Sequence, residues 1–283
     1  MQVYLSAWER VCQRLGRFLR RRRQVLHFLG LGAVLTATNI LANTIAVSLF
    51  LTNAGSEALP LFYVLLGLIS IPVSVAFSKI IDRYSRVRLF CCLLLLALVL
   101  VCGLWWLIRG QTPGIYNGVY ISTSIIELLV QVLFWTLVSD YFTNLELERY
   151  TPLLTMALTV GSLLGGLLVR VLSESFTTPN LLLGLPFCYG VAIIQLLYLG
   201  RTEQPLEIGP LRESETQLLD SLRAFPRLLS RYPIILLLAA GTLISVLLWG
   251  MSEFQFYRIY ADTFPQQDDL TGFLGLLGAV CSG

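Results

Sequence analysis

Glu127 stands midway along an apolar run over residues 115–139, with Ser124 three positions before it and Gln131 four after. Those offsets put the three side chains along one face of a helix, and Trp135 extends the stripe. An ionisable group at the centre of a bilayer costs about 2.5–3.5 kcal/mol on insertion, so it should face a cavity or a partner. Two functional roles fit it, proton exchange and direct contact with a solute. The competing reading is a structural pin that hydrogen-bonds a neighbouring helix. Thr36, Asn39 and Asn43, at i, i+3 and i+7, form a second polar face in the run 25–51. They read as cavity lining or as small polar contacts that join membrane helices. Gln195 is a lone amide in the run 180–200. Glu253, beside Phe254, lies towards the end of the run 233–256, where a gating role and simple nearness to water both fit. The expected solute-binding set is Asn39, Asn43, Glu127, Gln131 and Gln195.

Catalytic chemistry finds no comparable set. The single histidine, His27, is flanked by Leu26, Phe28 and Leu29, and no phosphate-binding loop, H-E-x-x-H or G-x-S-x-G occurs. Cys12, Cys91, Cys92, Cys102, Cys188 and Cys281 are scattered without C-x-x-C pairs, so neither a disulfide framework nor a metal site is implied. The expectation is a chain without cofactor or metal and without enzymatic activity.

The elements that must carry these residues are membrane helices. Hydrophobic residues make up 56% of the chain and charged ones 13%, which excludes an ordinary soluble domain. A hydrocarbon core about 30 Å thick needs roughly 20 apolar residues per helical crossing. Such runs occur over 25–51, 58–81, 89–108, 115–139, 151–173, 180–200 and 233–256. An eighth begins near Leu270 and breaks off at Gly283, which is too short to cross, so the expectation is a truncated chain whose remaining half or further domains lie elsewhere. Seven arginines precede the first run, four basic residues surround the link 79–88, one is Arg149, and five fall between 201 and 231. Only Arg109, Arg170 and Arg258 fall on the other side, so the bias of basic residues puts the N-terminus in the cytoplasm of a multi-pass protein, with a plasma (inner) membrane as the expected location. Net charge of +3 is then topological and gives no reason to expect nucleic acid.

Residues 1–24 form a basic amphipathic segment, with Trp8, Val11, Leu15 and Phe18 at helical spacing, expected to lie on the inner leaflet. Residues 25–200 hold six spans. Residues 201–232 are a charged linker in which Leu218, Leu222, Phe225 and Leu229 recur at helical spacing, and 233–283 hold a seventh span and the incomplete eighth. Gly161, Gly165 and Gly166 allow close helix approach in the fifth span.

Six spans, a long charged inner link and further spans form the arrangement of a major facilitator transporter, whose two six-helix halves bind solute between them. The link Asp82-Arg83-Tyr84-Ser85-Arg86-Val87-Arg88 resembles that superfamily's loop signature between its second and third helices, with Ser85 near the place of the usual glycine. The resemblance implies a conformational latch made of Asp82, Arg83, Arg86 and Arg88. Leu147-Glu148-Arg149-Tyr150-Thr151-Pro152-Leu153 leading into Gly161-x-x-x-Gly165, with Phe134 and Trp135 upstream, is similar to the ATP/ADP translocase branch, and so are the stretches 53–60 and 257–264. That resemblance covers most of the chain and implies a nucleotide as one possible solute. The branch carries charges in its first span near the positions of Ala46 and Val47 to meet phosphates, whereas this chain has no charge between His27 and Glu57. The fold expected is all-α and transmembrane, of major facilitator type: a six-helix N-terminal half and the start of the C-terminal half. The function expected is alternating-access transport of a small polar or anionic solute; the alternative is a non-transporting membrane anchor or input module of a larger protein.

Overall fold

The computed structural model describes residues 2–81, 83–110, 114–202, 233–264 and 266–281, with backbone alone at 2–22, 233, 235 and 281. All regular elements among them are helical. In chain order they are α1 (Gln2–Ala54), a 3-10 turn (Ser56–Ala58), α2 (Leu59–Ile81), α3 (Arg86–Arg109), α4 (Ile115–Tyr141), α5 (Asn144–Ser173), α6 (Thr178–Leu181), α7 (Gly184–Thr202), α8 (Pro233–Thr263) and α9 (Gln267–Cys281). Seven stretches are long and apolar enough to cross a membrane, among them Arg23–Ala54 of α1, Thr178–Thr202 across α6 and α7, and Leu236–Thr263 of α8. The protein is a multi-pass membrane protein. The linker 203–232 lies outside the described residues.

Three boundaries differ from the sequence expectation. Helix α1 runs unbroken through residue 24, so no backbone break separates the basic segment from the first span. Helix α5 begins at Asn144 and not near 151, because Thr143 caps it: the Glu146 carboxylate accepts from the Thr143 amide at 3.1 Å and from its hydroxyl at 3.0 Å. Polar residues before an apolar run are invisible to hydropathy, yet they satisfy the first turn's amides and let the helix start early. Helix α8 continues to Thr263, because Tyr257, Tyr260, Ala261 and Phe264 pack against the body and reward another two turns.

The helices alternate in direction, which gives the bundle a proximal end and a distal end. At the proximal end Phe28 packs against Tyr141 and Phe142. At the distal end Phe50 packs against Phe62 and Tyr120. Helix α1 lies at the centre, in contact with α4, α5, α7 and α9, and buries Phe28, Leu31, Leu35, Leu41, Ile45 and Leu49. Its contact with α5 brings the two backbones almost directly together. A Cβ on Gly161 would lie 2.3 Å from the Ala33 carbonyl oxygen, and one on Gly165 would lie 2.6 Å from that of Ala37. Two small-x-x-x-small faces therefore run parallel in matched register, which maximises dispersion contact where lipid supplies no hydrophobic drive.

The outward faces are apolar, as hydrocarbon requires. Leu61, Val64, Leu68 and Ile71 on α2 and Trp106 on α3 are all more than half exposed in the bare chain. Hydroxyl groups in the spans turn back onto their own helices: Thr36 donates to the Gly32 carbonyl at 2.9 Å, Thr38 to Val34 at 2.7 Å and Thr123 to Val119 at 2.8 Å.

Gly161→Ala should cost about 1–3 kcal/mol by overpacking, because the new methyl meets backbone that cannot turn aside. Gly190→Ala, with no atom within 4 Å of its added Cβ, should be neutral. Thermal unfolding of the two variants in detergent, followed by size-exclusion chromatography, checks this; equal midpoints would contradict the backbone contact.

Candidate functional site

The polar interior is organised by α4. Its Glu127 is half-buried and interacts electrostatically with Glu253 of α8, with Tyr120 one turn and more towards the distal end, and with Tyr189 of α7. Glu253 in turn faces the hydroxyls of Tyr63 on α2 and Tyr257 on its own helix. The Tyr63 oxygen is enclosed by protein yet closes no hydrogen bond, so it approaches Glu253 without reaching bonding geometry. Four spans thus bring two carboxyl groups and four phenols to one region of an otherwise apolar bundle. No Lys, Arg or His is among the groups described as interacting with either carboxylate.

The other expected solute-binding residues do not join this cluster by direct bonds. Asn39 is buried and Asn43 half-buried on α1, and no hydrogen bond among the described residues links either to Glu127. Gln131 is exposed. Gln195 on α7 is half-buried, with its side-chain oxygen enclosed and lacking a hydrogen-bond partner. Ser124 departs from the stripe: with Ile125 and Leu128 it lines a cavity of about 190 Å³ whose opposite wall is Leu66, Gly67, Ser70 and Val73 of α2. Both serine hydroxyls there are spent on their own helices, Ser124 on the Tyr120 carbonyl at 2.8 Å and Ser70 on that of Gly67 at 3.0 Å. The α2–α4 cavity is therefore an apolar cleft and offers a polar solute no free donor.

At the proximal end Arg86, the first residue of α3, forms an ion pair with Asp140 in the last turn of α4 and reaches the Thr136 carbonyl at 3.4 Å. About a quarter of each charged side chain remains exposed (29% and 21%). Arg83 and Arg88 are exposed, and Asp82 lies outside the described residues. The acid seen to pair with the loop is thus Asp140, on another helix.

Sequence reasoning missed Asp140 and the four tyrosines. Asp140 sits four residues before Asn144 at the end of a span, where an acid reads as ordinary interfacial polarity. A tyrosine in an apolar run reads as an aromatic packing group, and its hydroxyl becomes informative only when a carboxylate arrives from another helix.

Removing the ion pair should lower stability by about 1.5–3 kcal/mol, the range for hydrogen bonds to charged groups. Arg86→Gln and Asp140→Asn should each depress the unfolding midpoint, and the double variant should lose less than the sum of the two. Strict additivity in this double-mutant cycle would show that the groups do not interact in the membrane.

No family model, curated protein or solved structure matches this chain.

Proposed function

We propose that this chain is a secondary transporter of major facilitator type that moves a small polar solute by alternating access, with its N-terminus in the cytoplasm and its spans in the plasma (inner) membrane. The observation that carries the reading is the electrostatic influence that Glu127 of α4 and Glu253 of α8 exert on one another and on Tyr63, Tyr120, Tyr189 and Tyr257, which places two acids of different helices in one polar region. Membrane-embedded carboxyl groups are costly to insert and mark solute or proton pathways. Their placement on two helices separated by the charged linker fits a site between two halves. Gln195, with an unpartnered buried oxygen, and Asn39 and Asn43 are proposed as further lining. Arg86 with Asp140, helped by Arg83, Arg88 and Asp82, is the proposed proximal latch.

The charge of the cluster bears on the solute. Two carboxylates with no basic partner among the described residues suit a neutral or positively charged molecule better than the nucleotide that the loop resemblance implies. An anchoring or input module remains the second reading, supported by the absence of charge between His27 and Glu57 in the first span.

Uptake of labelled ATP, ADP, neutral amino acids and organic ammonium ions into proteoliposomes separates these readings. Saturable uptake of one class, reduced at least tenfold in Glu127→Gln while insertion is preserved, is the expected result. Uptake of ATP or ADP would restore the nucleotide reading. No uptake of any class by correctly inserted protein would leave the anchor.

A further inference from the structure

The helices that follow the linker touch the six-span body unevenly. On α8, residues 236–249 are exposed, whereas Phe254, Tyr257, Tyr260, Ala261 and Phe264 pack on the core, Tyr260 and Phe264 with their rings on Phe273 of α9. All of α8's attachment is therefore at its distal part. Helix α9 starts at the same end and carries the polar contacts. Asp268 accepts from the Thr178 amide and from the Thr178 hydroxyl, both at 2.7 Å. The Thr271 hydroxyl lies 2.8 Å from that of Thr178, 2.6 Å from that of Ser48 and 2.8 Å from the Gln267 carbonyl one turn back on α9, so its single proton serves one of these contacts at a time. Ser48 also reaches the Gln267 carbonyl at 3.1 Å. Ser48, Thr178 and Thr271 are fully buried, so the network is continuous from α9 through α6 to α1 and shielded from water.

Below that network the α5–α9 contact is smooth. A Cβ on Gly166 would lie 2.4 Å from the Gly275 carbonyl oxygen, and one on Gly275 would lie 2.7 Å from the Val169 side chain. Glycine faces of this kind attract by dispersion over closely approaching backbones and carry no side chain that could hydrogen-bond across the contact. The inter-helix hydrogen bonds described for α9 are those at its distal end.

We propose that Asp268, Thr178, Thr271 and Ser48 form a clasp that holds the distal end of the protein shut, so that the structure is a distally closed state and release of the clasp lets α9 swing away from α6 at that end. Asp268 is the bond-rich member, since one of its oxygens takes both Thr178 donors. The clasp rests on the transport reading only for what its release would serve; its existence as a two-state contact does not require a solute.

Ser173 and Gly272 give a reporter outside the clasp, because a Cβ at Gly272 would lie 2.7 Å from the Ser173 hydroxyl. In a chain with its native cysteines replaced by serine, Ser173→Cys and Gly272→Cys are oxidised in membranes. A protease site within the linker 203–232 makes the disulfide visible as two joined fragments on a gel. Rapid cross-linking is expected in the parent, with a rate about tenfold lower in Asp268→Asn and in Thr271→Val, the scale of losing hydrogen bonds to a charged group. Thr271→Ser, which keeps the hydroxyl, should stay within about twofold of the parent. A static staple predicts the opposite pattern: Asp268→Asn and Thr271→Val lower the unfolding midpoint while α9 stays docked and cross-links at the parent rate. That outcome overturns the clasp, as does failure of the parent to cross-link. Neither readout uses transport, so a negative uptake experiment leaves this one decisive on its own.

Discussion

A Cβ at Gly161 or Gly165 would sit within the backbone of α1, so α1 and α5 meet over Ala33 and Ala37 with almost nothing between them. Lipid is as apolar as leucine, and burying apolar side chains between membrane helices yields little free energy by itself. Close packing must supply it, and backbone proximity multiplies the number of dispersion contacts. The register of this pair fixes where the other faces of α1 point. With α5 seated on Ala33 and Ala37, Phe28 reaches Tyr141 and Phe142 of the α4 end, and Phe50 reaches Phe62 and Tyr120 at the opposite end. The position of α4, and hence of Glu127, follows from that contact.

Polar groups inside the bundle then divide into two kinds. Most of the described serine and threonine hydroxyls are satisfied one turn back on their own helix, as at Thr36, Ser122 and Ser124. Fewer join helices; among the described residues Arg86 with Asp140 does so proximally, the Asp268 network does so distally, and Cys188 of α7 with Thr38 of α1 does so between them. The charged contacts described between helices thus lie near the two rims, and glycine contact and tyrosine–carboxylate proximity occupy the span between them.

The span count and span positions were legible because run length against bilayer thickness is a strong constraint, and Glu127 was legible because a carboxyl group in an apolar run is costly. Gly161 and Gly165 announced a close contact without naming the partner, since Ala33 and Ala37 stand among other small residues of the first span, such as Gly30, Gly32, Ala42 and Ala46. The helix at 144 escaped hydropathy because Thr143 and Glu146 stabilise it by capping. The eighth apolar run read as starting near Leu270, whereas α9 starts at Gln267: the polar Gln267 and Asp268 belong to its first turn, and they matter through residues 90 and 219 positions away in sequence. Such long-range partners leave no local pattern. For the same reason the Glu127–Glu253 approach was hidden, although each acid drew notice alone.

That approach limits what the interior can welcome. In a medium of effective dielectric about 20, a unit negative charge within ~6 Å of an ionised carboxylate is repelled by about 3 kcal/mol, and a triphosphate would meet that cost several times over. Enzymes and carriers that hold phosphates offset it with guanidinium or ammonium groups. Here the described neighbours of Glu127 and Glu253 are phenols, which donate hydrogen bonds to a carboxylate and present ring faces that attract cations. A phenol cannot neutralise a phosphate as arginine can. On the proposed transport reading, the groups that make a polyanion unwelcome suit an ammonium ion or a polar neutral molecule, so the chemistry of the cluster and the loop resemblance point to different solutes.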